Sequence, residues 1–164
     1  MAKRVRFFPV LPFLMLAFAG TCHADDGVAL YSKSTDVASR LSGRWSPDCD
    51  NLEGIKIDDQ LKAEFTINSN QIVINSMLKE GVKKDGVIDV YFESPLDLGR
   101  GGMNLDWGHF STVTRIAAIK IKGENDISLN WVGFFSNEAK KHQWVNQPDF
   151  YNDNGKIDFH RCEN

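Results

Sequence analysis

The side chains best suited to chemistry are few and scattered. The chain of 164 residues has four histidines, of which His109, His142 and His160 lie beyond residue 24, and three cysteines, of which Cys49 and Cys162 do. A transition-metal site would place imidazoles and thiolates a few residues apart on one face, as in His-x-x-x-His or Cys-x-x-Cys, and these residues share no such spacing. No metal and no cofactor are therefore expected. Neither Gly-x-Ser-x-Gly nor a Walker or dinucleotide glycine pattern occurs, so no nucleophile or phosphate cradle is marked. The 22 acidic residues could supply a hydrolytic carboxylate pair, but the sequence singles out no two that face each other. The expectation is a protein without enzymatic activity and without catalytic residues.

The compartment follows from the start of the chain. Lys3, Arg4 and Arg6 precede an apolar run from Phe7 to Gly20, which ends on small residues up to Ala24. This is the layout of a secretory signal peptide over residues 1–24, and the run is too short for a membrane span. The expected mature protein is thus periplasmic or secreted, with one domain over residues 25–164. The leader takes three of the 19 basic residues and none of the 22 acidic ones, leaving 16 against 22, or a net charge of −6. That balance disfavours nucleic acid and anionic membranes, and favours encounter with a cationic partner. In an oxidising compartment Cys49 and Cys162 are expected to pair.

The elements that must position these residues read mostly at period two. Phe65 and Ile67, a polar turn at Asn68 to Asn70, then Ile72 and Ile74 form a hairpin pattern. Ile88, Val90 and Phe92 alternate with Asp89, Tyr91 and Glu93, and a further pair runs from Val113 to Ile121 and through Ile127, Leu129, Trp131, Gly133 and Phe135. The last strand carries Ile157, Phe159 and Arg161, with His160 turned to solvent. With short segments around Trp45 and Ile55, about eight strands result. A short helix before Gly43, capped by Ser34 or Thr35, is the best helical candidate. Ile116 and Ala118 oppose Ala117, Ile119 and Ile121, so both faces of the sixth strand are apolar and its outside should be covered, most economically by that helix. Eight such strands bury their apolar faces either as two stacked sheets or as a closed antiparallel barrel. The barrel is the expected fold, because Cys49 and Cys162 end the first and last strands and closure brings those strands together.

A helix followed by Gly43-x-Trp45 on the first strand, with Arg161 on the last, resembles the lipocalin-like (calycin) barrels. The resemblance implies that Trp45 plugs one barrel end beneath the Arg161 guanidinium, a cation–π contact of about 0.5 to 2 kcal/mol. Gly43, Trp45 and Arg161 are thereby structural residues. The resemblance also implies an alternative function, the carriage or sensing of a small apolar ligand, which needs a hollow barrel. The inward set Phe65, Phe92, Trp131, Phe135 and Phe159 is bulky for that purpose.

Two loops are longer and more aromatic than connection requires. Ser94 to Phe110 holds Leu96, Leu98, Met103, Trp107 and Phe110 among four glycines, and Ser136 to Gly155 holds Trp144, Phe150 and Tyr151 among charged and amide residues. Large aromatics amid polar neighbours are the stuff of protein-binding surfaces. The expected function is binding of an extracytoplasmic protein, as an inhibitor or immunity protein for a secreted or wall-acting enzyme, through Arg100, Asp106, Trp107, Trp144, Phe150 and Tyr151. The competing expectation is that these rings close the barrel ends.

Overall fold

The computed structural model describes residues 36–67, 72–81, 86–143, 148, 150 and 155–163. The leader, the caps at Ser34 and Thr35, the turn at Asn68 to Asn70, and Trp144 and Tyr151 lie outside them. Residues 36–41 are helical (α1). Ten strands follow: β1 Gly43–Ser46, β2 Gly54–Ile57, β3 Lys62–Thr66, β4 Val73–Glu80, β5 Val87–Asp97, β6 Arg115–Ile121, β7 Asp126–Trp131, β8 Phe134–Ser136, β9 Lys141–Gln143 and β10 Lys156–Cys162. A single turn of helix, Gly99–Gly102 (α2), stands between β5 and β6.

Eight of the strands close into an antiparallel barrel in the order β1-β10-β7-β6-β5-β4-β3-β2, while β8 and β9 pair separately. Period-two patterning explains the closure. In β3, Ala63 and Phe65 point inward while Lys62 and Glu64 face water; in β10, Ile157 and Phe159 do the same against Lys156, Asp158 and His160. Register aligns the inward sets across strands, with Ile55 opposite Phe65, Phe65 opposite Ile74, and Ile127 opposite Phe159.

The seam between the first and last strands is fastened twice. Trp45 and Arg161 are direct register partners. The Arg161 guanidinium lies 4.3 Å from the centroid of the fully buried Trp45 ring. It also donates to the carbonyls of Ser42 and Arg40 at the end of α1, and Trp45 Nε1 donates to Leu41 O at 2.7 Å. Gly43 has φ +129°, and a Cβ there would stand 2.8 Å from Arg161 Nη1. The glycine therefore leaves the guanidinium its place. The second fastening is the Cys49–Cys162 disulfide, with Cα atoms 5.5 Å apart across 113 residues of sequence. Arg44, opposite Cys162, donates to Cys49 O at 2.9 Å and so folds the β1–β2 connection back toward the seam.

Two expectations need correction. The seventh strand does not run on to Phe135. The chain turns at Val132 and Gly133, whose amides both donate to Ile116 O, and Gly133 takes φ +88°. That turn inverts the alternation, so Phe134 enters the core fully buried while Phe135 lies half-buried against His142. Nor does α1 sheathe the sixth strand. Its described residues pack beside Trp45 and Arg161, and Ile116 is taken into the core next to a register shift between Val90 and Tyr91. The outer face of β6 is left with a half-buried Ala118 and an exposed Lys120. Val113 falls before β6 and is largely exposed.

Candidate partner-binding surface

In an antiparallel barrel, successive connections leave from alternate ends. The β5–β6 connection and the long β7–β10 connection, which contains β8 and β9, therefore share one barrel end. These are the two aromatic loops singled out in the sequence.

The β5–β6 connection is built as a rigid lid. Asp97 Oδ1 accepts from Gly99 N at 3.0 Å to start α2, and Gly102 N donates to Leu98 O at 2.8 Å. Trp107 opens a short 3-10 turn over Trp107–His109, whose start is capped by Asp106 Oδ1 accepting from Gly108 N at 3.0 Å. The indole turns inward. Its centroid lies 5.8, 5.7 and 5.5 Å from those of Phe92, Phe110 and Phe134, and its Nε1 donates to Gly102 O at 2.9 Å. A Cβ on Gly102 would approach both Leu98 and the Trp107 ring to 3.3 Å, so this close seating depends on the glycine.

The lid is also tied to β8. Phe110 bridges Ser136, Ser111 N donates to Phe135 O and Asn137 N donates to His109 O, both at 2.8 Å. His109 stands between two carboxylates, with Nε2 3.1 Å from Asp106 and Nδ1 3.4 Å from Glu138. The last turn before β6 is held by Ser111 Oγ, which lies 3.0 Å from Thr114 Oγ1 and accepts from the amides of Val113 and Thr114.

Among the side chains that this anchored segment shows to solvent are large apolar ones. Four large hydrophobic side chains among the described residues are exposed, and three of them, Leu96 (54%), Met103 (67%) and Val113 (84%), belong to the end of β5 and the lid; the fourth is Leu52. Arg100 and Asp106 of the same connection are exposed as well. Trp107 is only 9% exposed and spends its ring on the core. Phe150 is half-buried, 5.8 Å from Phe65 and 5.3 Å from Phe159, and borders a recess of about 240 Å³ with Pro47, Asp48 and Asn51. Of the six residues expected to form a partner surface, the structure thus brings Arg100, Asp106 and Trp107 into one lid, with Trp107 as its anchor. It sets Phe150 in the wall of a separate recess. Trp144 and Tyr151 lie outside the described residues.

Sequence reasoning named Leu96 and Met103 as loop content and Val113 as the start of a strand, and did not see them as the exposed set. The available sign was their spacing around Trp107 and the glycines. The His109 bridge had no local sign, since Glu138 comes from another connection.

Aromatic rings occupy the barrel interior. Ring contacts run from Phe159 to Phe150, Phe65, Trp131, Phe134, Phe92 and Phe110, with centroids 5.3–6.4 Å apart from one ring to the next. Among the described residues, no three His, Cys, Asp or Glu side chains group closely enough to hold a metal ion. No helix among them is long and apolar enough to cross a membrane. Neither a protein-family model, nor a curated protein, nor a solved structure matches this chain.

Proposed function

We propose that this chain is a non-enzymatic, extracytoplasmic binding protein that engages a protein partner through the lid end of its barrel, as an inhibitor or immunity protein engages a secreted or wall-acting enzyme. The observation that carries this reading is the division of labour within residues 96–113. Trp107 and Phe110 pin the segment to the core, while Leu96, Met103 and Val113 stand in water, as do Arg100 and Asp106. Exposing apolar side chains on a segment held this firmly costs solvation and gains nothing for the fold, whereas preorganised apolar side chains lower the cost of association. The basic, apolar leader and the Cys49–Cys162 disulfide support an oxidising compartment, and the net charge of −6 beyond the leader favours a cationic partner. Kinship with the lipocalin-like barrels is part of the reading, supported by the Gly43, Trp45 and Arg161 arrangement. Carriage of an apolar ligand is not favoured, because aromatic rings occupy the interior.

The test is affinity capture from periplasmic or culture extract with residues 25–164 as bait, followed by titration of the purified captured protein. Leu96→Asp and Met103→Asp should weaken binding at least tenfold while leaving the fold intact. Undiminished binding by both variants, or a co-purified small molecule in native mass spectrometry with no protein partner, refutes the reading.

A further inference from the structure

The outer face of β5, β6, β7 and β10 is a polar trench that starts at Arg115, just beyond the lid, and runs down the barrel wall. Register sets two outward rows side by side: Val87, Lys120, Ser128 and Asp158 in one, and Asp89, Ala118, Asn130 and Lys156 in the other. The centre of this face carries only the short side chains of Ala118, Ser128 and Asn130, and the rim carries the long cations Arg115, Lys120, Lys122 and Lys156. The result is an open groove of about 810 Å³.

Its charges divide into two kinds. Arg115 is held 3.0 Å from Asp89, and Lys122 is held 2.6 Å from Asp158. The Lys122 ammonium, by its hydrogen bond, keeps the Asp158 carboxyl below its ordinary value, with Ser128 donating to it as well. Lys120 and Lys156 are exposed and have no ion pair among the described residues. Among the described residues of this face four cations, Arg115, Lys120, Lys122 and Lys156, thus meet three carboxylates, Asp89, Asp126 and Asp158, on a chain in which acidic residues outnumber basic ones by 22 to 19. This is a local reversal of sign, with two ammonium groups that have no ion pair among the described residues.

We infer that this groove is a second binding site, and that it takes an extended acidic segment of polypeptide whose carboxylates meet Lys120 and Lys156. All four strands are already paired on both sides, so an incoming chain cannot add as a strand and must be recognised by side chains. Lys120 and Lys156 stand two strands apart and two residues out of step. With strand spacings of about 4.8 Å and a rise of about 3.4 Å per residue, their Cα atoms are about 12 Å apart. Two flexible lysine stems can also converge on one compact anion across that distance, so inorganic phosphate is the competitor that the peptide must outbind. An extended peptide covers that distance in three to four residues, at about 3.4 Å each. The lining contains no aromatic ring on which a sugar or base could stack, and the Asn130 amide and Ser128 hydroxyl suit peptide N–H and C=O groups.

The experiment uses residues 25–164 and a fluorescein-labelled Gly/Ser peptide bearing two glutamates four residues apart, followed by fluorescence anisotropy at low salt. The double variant Lys120→Gln/Lys156→Gln should bind about tenfold more weakly, and wild-type binding should decline as salt is raised. Lys56→Gln/Lys62→Gln removes the same charge from the opposite quarter of the barrel and should leave affinity unchanged. Absence of peptide binding by the wild type, equal weakening by both double variants, or tighter binding of a sulfated oligosaccharide of the same charge overturns the inference.

Discussion

Arg161→Met removes the contact that most directly joins the two ends of the domain. Three interactions go with it: the guanidinium over Trp45 at 4.3 Å and the hydrogen bonds to the carbonyls of Ser42 and Arg40. The ring contact is worth about 0.5 to 2 kcal/mol. Each hydrogen bond, partly open to water, adds about 1 kcal/mol, so the expected loss is about 3 kcal/mol. For a domain of about 140 residues this lowers Tm by about 10 °C. Trp45→Ala should cost about 3 to 5 kcal/mol, through the emptied core site and the lost bond to Leu41 O. Because the two side chains touch, their effects should not add. Urea unfolding of both single variants and the double, with the disulfide oxidised throughout, should give a coupling of about 0.5 to 2 kcal/mol. Arg161→Lys should recover only a minor part of the loss, since an ammonium cannot serve two carbonyls and a ring together. Additivity within about 0.3 kcal/mol would show that the ring and the guanidinium stabilise independently, and the seam argument would fail.

Gly43→Ala should destabilise by more than about 1 kcal/mol, from its positive φ and the close Arg161 Nη1, and less in an Arg161→Ala background; an equal loss in both would remove the steric half of the explanation. Cys49→Ser/Cys162→Ser should cost about 4 to 5 kcal/mol in urea unfolding, given the 113-residue separation, and native thiol labelling of the wild type should find neither cysteine free. Trp107→Ala should lose about 3 to 4 kcal/mol, whereas Leu96→Ala and Met103→Ala should change stability by less than about 0.5 kcal/mol; similar losses for all three would mean that the exposed side chains belong to the core. Asp158 should titrate below 3.8 by NMR in the folded protein and move upward in Lys122→Met. Since its folded value is depressed, the stabilisation from this pair is present above the unfolded value and is lost as pH falls through the folded one; a titration at or above 3.8 would contradict it.

Much of the barrel was legible because alternation is local. A strand with one wet and one dry face must write period two into its residues, and the runs at Phe65, Val90, Leu129 and Phe159 do so. Where the reading failed, a backbone feature outranked the pattern. Gly133 turns the chain and exchanges Phe135 for Phe134, and a register shift beside Ile116 puts an apparently outward residue in the core. In both places the side chain's direction depends on hydrogen bonds to a strand distant in sequence.

By itself, the sequence determined the eight alternating runs that close the barrel and the pair of cysteines left to meet, and the resemblance carried by Gly43-x-Trp45 and Arg161 implied the seam, because alternation and residue type are written locally. Only the tertiary structure decided which aromatic rings of the long connections face inward, since the strand rings Phe65, Phe92, Trp131 and Phe159 already followed from alternation. Trp107 and Met103 are near neighbours in one glycine-rich loop and similar in hydrophobic character, yet one is 9% exposed and the other 67%. The difference comes from Phe92 and Phe134, which approach Trp107 from β5 and β8 and offer it a surface that Met103, four residues earlier, cannot reach. The basic trench is likewise a product of closure. Lys120 and Lys156 come from separate parts of the chain, and only the pairing of β6 with β7 and of β7 with β10 makes them the two rims of one groove.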